Sequence, residues 1–302
     1  MMIGVKLKSM LLSAALLVSA THAFAADSLL KPFVLASKGA AVLAEKSTQV
    51  KQDLVKAGFT VVGEYAPYAG ANIVVVTNDD LKKTAAASEF GGYGAVQRVS
   101  LTEAAGGTVQ VSYTNPVYMA NAYRMKGDLS GVATALAGAL GKVEEFGAQG
   151  LTAKQLRKYH YTIGMEYFDE PDVLAEYDSY EAAIQAVDSK LSSNKNGVSK
   201  VYRVDVTGKQ ESVFGVGLKG SDKQKYMDDQ FIMKEVDFHD VKSTAHLPYE
   251  VLVSGKKVYA LYARFRIAIS FPDLSMMGSN SFMNIMKTPD AIRDALKKAV
   301  QK

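Results

Sequence analysis

The chain has 302 residues, 48% of them hydrophobic, a formal net charge of +4 and no cysteine. That composition is globular, and the length suits two domains of ordinary size. The missing thiols exclude a disulfide framework, thiolate catalysis and thiolate metal sites, and without a run of like charges nothing points to nucleic acid or an anionic membrane.

Residues 1–25 have the layout of a cleavable secretory signal. Lys6 and Lys8 precede an apolar run from Met10 to Ala20, and Ala23-Phe24-Ala25 supplies a small-residue cleavage site. The run is shorter than the ~20 residues a membrane-spanning helix needs, and no later stretch is long and apolar enough. The expectation is export, as a soluble protein, to the periplasm of a Gram-negative bacterium, with no cysteine to carry a lipid.

The remainder reads as one pattern written twice: a first lobe over residues 26–150, a connecting segment over 151–178, and a second lobe over 179–302. In the first, Lys38 to Gly58 has helical period, with Val42, Leu43, Val50, Leu54 and Val55 on one side. Strands follow at Thr60–Tyr65 and Ala71–Thr77. A hairpin then runs from Ala95–Leu101 through Gly106-Gly107 into Val109–Tyr113, and Leu129–Leu140 is a closing helix. In the second, Tyr180–Leu191 is a helix, and Val198–Val206 and Ser212–Leu218 are strands. Tyr249–Val253 turns through Ser254-Gly255-Lys256 into a long predicted strand, Val258 to Phe271. Thr288 as N-cap and Pro289 open the last helix.

A shift of 158 sets Val109, Val111, Ser112 and Tyr113 on Ile267, Ile269, Ser270 and Phe271, and Met125 on Met283. A shift of 160 sets Val132, Leu136 and Leu140 on Ile292, Leu296 and Val300. The connecting segment is rich in Tyr and Phe, so it is expected to pack on one or both lobes. The fold class is α+β: two similar lobes, each a small, mainly antiparallel sheet with helices packed on one face, arranged as a monomeric internal pseudo-dimer.

His246-Leu247-Pro248-Tyr249-Glu250, leading to Arg264-Phe265-Arg266-Ile267-Ala268-Ile269, resembles the domain-of-unknown-function family numbered 302. The likeness covers the second half well and the first half loosely. It implies a small α+β unit able to pair with a copy of itself, and it carries no chemistry.

If Val258–Phe271 is a strand, its alternation puts Arg264 and Arg266 side by side on the face away from the core. There they either pair with acids on a neighbouring strand or hold a carboxylate or phosphate, with Tyr262, His246 and Asp273 as candidate neighbours. The matching strand of the first lobe has Gly106-Gly107-Thr108, so this alignment implies that the fold does not demand the pair. Met276, Met277, Met283 and Met286 fall within eleven positions. Core packing is their expected role, as Met fills irregular gaps. The alternative is a thioether site for copper(I), with His239 or His246 assisting.

The loop Asp237-Phe238-His239-Asp240 could at most bind a cation weakly, and Glu89 to Gly94 reads as a connection or a lid. No established catalytic motif occurs. The reading is a non-catalytic exported module for a small anionic ligand or a periplasmic protein, bound in a groove between the lobes, with no cofactor predicted. The alternatives are an enzyme acting on a small carboxylate or phosphate, using His246 or Asp273 as acid or base, and the copper(I) protein.

Overall fold

A computed structural model describes residues 28–301. The secretory signal expected over residues 1–25 lies outside the described residues.

Each lobe is one sheet with the same parts in the same order. The first comprises β1 (Phe33–Ala40), α1 (Leu43–Lys56), β2 (Thr60–Tyr65), β3 (Ala71–Thr77), α2 (Asp79–Ala87), β4 (Gln97–Ala104), β5 (Thr108–Thr114), α3 (Pro116–Ala122), α4 (Ser130–Leu140) and an added edge strand β6 (Glu144–Phe146). After a short helix α5 (Ala153–Leu156), the second comprises β7 (Asp172–Glu176), α6 (Tyr180–Ser192), β8 (Val198–Asp205), β9 (Glu211–Leu218), α7 (Asp229–Val236), β10 (Tyr249–Ser254), β11 (Lys257–Ala260), α8 (Ala263–Ser270) and α9 (Thr288–Val300). Strand order is β2-β3-β4-β5-β1-β6 in one sheet and, read the same way, β8-β9-β10-β11-β7 in the other. All the pairings are antiparallel. Set side by side, β1 to β5 correspond to β7 to β11, and the two lobes share one topology.

Local chemistry sets most of the boundaries. Asn78, Ser179 and Asp228 cap α2, α6 and α7 through their side chains, and Asn115 with Pro116 opens α3. Gly58 ends α1 at a positive φ of 87°. At the last helix Thr288 is the first helical residue rather than the cap, and its hydroxyl has no hydrogen-bond partner among the described residues.

The long strand predicted from Val258 to Phe271 is instead a short strand, β11, followed by helix α8. Seven of α8's residues are buried, from Ala263 and Phe265 to Ser270. A helix with all but one of its eight residues buried lacks a polar stripe, so its sequence carries no clear helical period and an alternating pattern can mislead. The shift of 158 therefore aligns strand β5 with helix α8. The true counterpart of the Gly106-Gly107 turn is the turn at Gly255, and the counterpart of α8 is α3. The second lobe also starts earlier than residue 179, because β7 lies within the connecting segment 151–178 and pairs with β11. The rest of that segment packs on both lobes. Buried Phe168 meets Phe90, Tyr93 and Tyr123 of the first and Phe265 of the second.

The lobes join through reciprocal contacts. The 3-10 turn Gly91–Gly94 packs on β9 and β10, and its counterpart Thr244–His246 packs on β3, β4 and β5. Edge strands β2 and β8 meet at bulges in equivalent places, Val61/Gly63 and Lys200/Tyr202. A Cβ on Gly63 would lie 2.6 Å from the Val201 carbonyl oxygen and 2.9 Å from Tyr202 Cβ. Equivalent residues meeting each other mark an approximate two-fold axis.

Candidate functional site

Alternation on β4 and β5 gives the first sheet an unusual inner face. Arg98, Ser100 and Thr102 of β4, with Gln110 and Ser112 of β5, are buried and polar, and they lie on the side that meets the second lobe. Arg98, Thr102 and Gln110 find partners in the other lobe, Ser100 donates to the Ser112 carbonyl of its own sheet, and Ser112 Oγ and Arg98 Nε have no hydrogen-bond partner among the described residues.

At the centre lies Glu250 of β10, whose carboxylate is shared by two buried guanidiniums. Arg98 of β4 donates to Oε1 through Nη1, and Arg266 of α8 donates to Oε2 through Nε at 3.0 Å. Arg266 Nη2 also donates to the carbonyls of His246 and Pro248, at 2.7 and 3.0 Å. Burial works against charge on Arg266, but the Glu250 carboxylate together with Tyr123 and Tyr249 raises the guanidinium above its ordinary range.

His246 lies within the same cluster. Its Nδ1 is 3.2 Å from Arg266 Nη1 and 2.9 Å from Ser270 Oγ, and its Nε2 is 3.2 Å from the Tyr249 hydroxyl. Burial, then the charges of Arg266 and Arg98, holds its pKa well below the usual histidine value. The ring is therefore neutral, and the donors around Nδ1 assign the proton to Nε2. This serine, histidine and tyrosine set has the parts of a proton relay, but all of it is fully buried.

The candidate residues are thus divided among three places. On a helix, residues two apart point to nearly opposite sides, and Arg264 and Arg266 do so. Arg264 lies at the surface with a two-pronged ion pair to Glu166 of the connecting segment, its guanidinium over the Tyr262 ring at 5.5 Å. Arg266 and His246 are interior. Asp273 is exposed and accepts from the Gln149 backbone amide at 2.7 Å. The guanidiniums do not share one sheet face, and each is paired with an acid.

A groove between the lobes does exist, with other walls. Its volume is about 470 Å³. Tyr68, Thr102 and Glu103 line it from the first lobe, and Lys234, Phe238 and Lys242 from α7 and the loop after it. That loop is tied across the boundary. Gln110 Nε2 donates to the Asp240 carbonyl at 2.7 Å, and the Lys242 backbone amide donates to Gln110 Oε1 at 2.9 Å.

Deeper in the groove, the Thr244 hydroxyl lies 2.9 Å from Thr102 Oγ1, 3.2 Å from the Tyr68 hydroxyl and 3.4 Å from Asp237 Oδ2. Burial pushes the Asp237 carboxyl up to about 6 and the Tyr68 hydroxyl up to about 12. A second buried acid, Asp229, accepts from the Tyr65 hydroxyl at 2.6 Å and from the Leu218 amide at 2.9 Å. Burial pushes it up to about 7.

Sequence reasoning singled out Asp237 and Phe238 only as part of a weak cation loop, and it missed Tyr68, Glu103, Lys234 and Lys242. Among the described residues no cluster of three His, Asp or Glu side chains is placed to hold a metal ion. The groove residues are scattered over both halves, so no local motif could have gathered them. The one usable signal was the polar alternation along β4 and β5. Among the described residues no helix is long and apolar enough to cross a membrane. No protein-family model, curated protein or solved structure matches the chain.

Proposed function

We infer that this chain is an exported periplasmic binding module, not built for catalysis, that takes a small anionic ligand in the groove between its lobes. The observation that carries the reading is the groove's composition. Lys234 and Lys242 offer positive charge, Glu103 offers an acceptor for a donor on the ligand, and Phe238 and Met233 offer apolar surface. A ligand with a carboxylate or phosphate at one end and an apolar or hydrogen-bonding part at the other fits that set. The lobe boundary is also where a duplicated fold commonly builds a site that neither unit has alone. The non-catalytic reading draws support from the full burial of the Ser270, His246 and Tyr249 set, which gives a substrate no way to reach it. The resemblance of each lobe to the family numbered 302 belongs to this proposal too, as two such units paired within one chain.

A thermal-shift screen of small carboxylates and phosphates tests the assignment. The expected result is at least one compound that raises Tm of the wild type and does not raise that of Lys234→Ala/Lys242→Ala. An equal shift in both proteins, or no shift from any compound, counts against it.

A further inference from the structure

Away from the groove, the loop between α8 and α9 carries Met276, Met277, Met283 and Met286 on the surface. Their exposures are 49%, 74%, 49% and 55%. The core packing expected of them from the sequence does not occur. Met125, the residue matched to Met283, is buried against Gly94 in the first lobe, so the two methionines are not equivalent.

The loop is held in place, and by other side chains. Ile285 is fully buried, Phe282 packs on the Tyr161 ring, and Asn284 Nδ2 donates to Glu235 Oε2 at 3.0 Å. In the 3-10 turn Phe282–Ile285 the inward positions are Phe282 and Ile285, and those one residue further on, Met283 and Met286, face out together. Met276 joins them through the backbone: the Met283 amide donates to the Met276 carbonyl at 3.2 Å, beside a Phe282 to Ser275 bond at 2.9 Å. Three long, unbranched thioether side chains therefore leave one short stretch of fixed backbone. Isolated exposed apolar side chains are ordinary, but several methionines gathered on one anchored loop are not.

We propose that Met276, Met283 and Met286 form a surface site for a soft monovalent metal ion, copper(I) or silver(I). Thioether sulfur is uncharged and polarizable, so it binds these ions and leaves hard divalent cations in water. Three rotatable bonds per side chain let the sulfurs converge on one ion without moving the loop. The Tyr161 hydroxyl donates to Met276 Sδ, which orients that sulfur and leaves its second lone pair for the metal. Met277, the most exposed of the four, is free to approach as a further donor. No bond is made or broken apart from the dative ones, and none of the four methionines lines the groove.

The test is a copper(I) titration against a coloured copper(I) chelator, with the wild type and Met276→Leu/Met283→Leu/Met286→Leu, which nearly preserves side-chain volume. In parallel, silver(I) is added to wild type labelled at the methionine methyl carbons. The wild type is expected to withdraw one equivalent of copper(I) and the variant none. Silver(I) is expected to shift the three loop methyls and leave the buried Met119, Met125 and Met233 unmoved. No withdrawal by the wild type, equal withdrawal by both proteins, or shifts confined to the buried methionines would overturn the proposal.

Discussion

Arg266 and Arg264 stand two positions apart, and their surroundings decide what each does. Arg264 keeps contact with water while it pairs with Glu166, so water shares in solvating its charge. Arg266 has no water to return to, so its charge depends on Glu250 and two carbonyls, and removing any of them would strand a buried cation. Asp229 makes the opposite use of burial. Its folded pKa of about 7 lies above the ordinary aspartate value of 3.8, so the folded state holds a proton that the unfolded chain has already released. That favours folding at low pH, and the advantage is lost as pH rises from about 4 through 7. His246 contributes with the opposite sign below its ordinary value of 6.5, because only the unfolded chain takes up its proton there. Comparison with Asp229→Asn cancels the His246 contribution, which both proteins share. The variant's Tm relative to wild type should be higher at pH 8 than at pH 5.5, and a difference that stays constant across this range would contradict the assignment.

Among the elements, β2 and β3 match the sequence reading residue for residue, while β1, β7 and α8 do not. The β-branched run Ile73-Val74-Val75-Val76 permits little but a buried strand. By contrast β1 runs straight into an alanine-rich stretch whose helical period masks its last residues. β7 is a five-residue edge strand with Val173 half exposed, too weak a pattern to separate from the aromatic connector. Helix α8 reads as a strand in the sequence because burial of all its residues but Arg264 leaves no polar stripe to mark the period, and the candidate arginine pair depends on that strand. The groove was illegible for another reason, since its walls come from parts of the chain brought together only by the lobe packing. Where β2 crosses β8, the bulge needs a residue without a Cβ. Gly63→Val should cost on the order of 1–3 kcal/mol through overpacking, read as a lower midpoint in denaturant with an unchanged slope. An unchanged midpoint would mean that the two edge strands are not pressed together there.

For the molecule as a whole, two lobes of one topology are stacked so that equivalent turns reach onto each other's sheets, and the interface is polar where an ordinary domain core is apolar. The tie between lobes then has to be specific, because an unpaired group inside it is costly and an oily contact would not fix the register. Glu250 is the acid that Arg98 of one lobe and Arg266 of the other both use, so its loss should weaken both lobes at once, while the other ties between them keep their unfolding one event. Calorimetric unfolding of the wild type and Glu250→Gln measures this most directly. A single transition is predicted for both proteins, with the variant's lowered as a unit by roughly 10 °C, from a loss of about 3–5 kcal/mol at a buried ion pair. Two separable transitions, of which Glu250→Gln moves only one, would contradict the account.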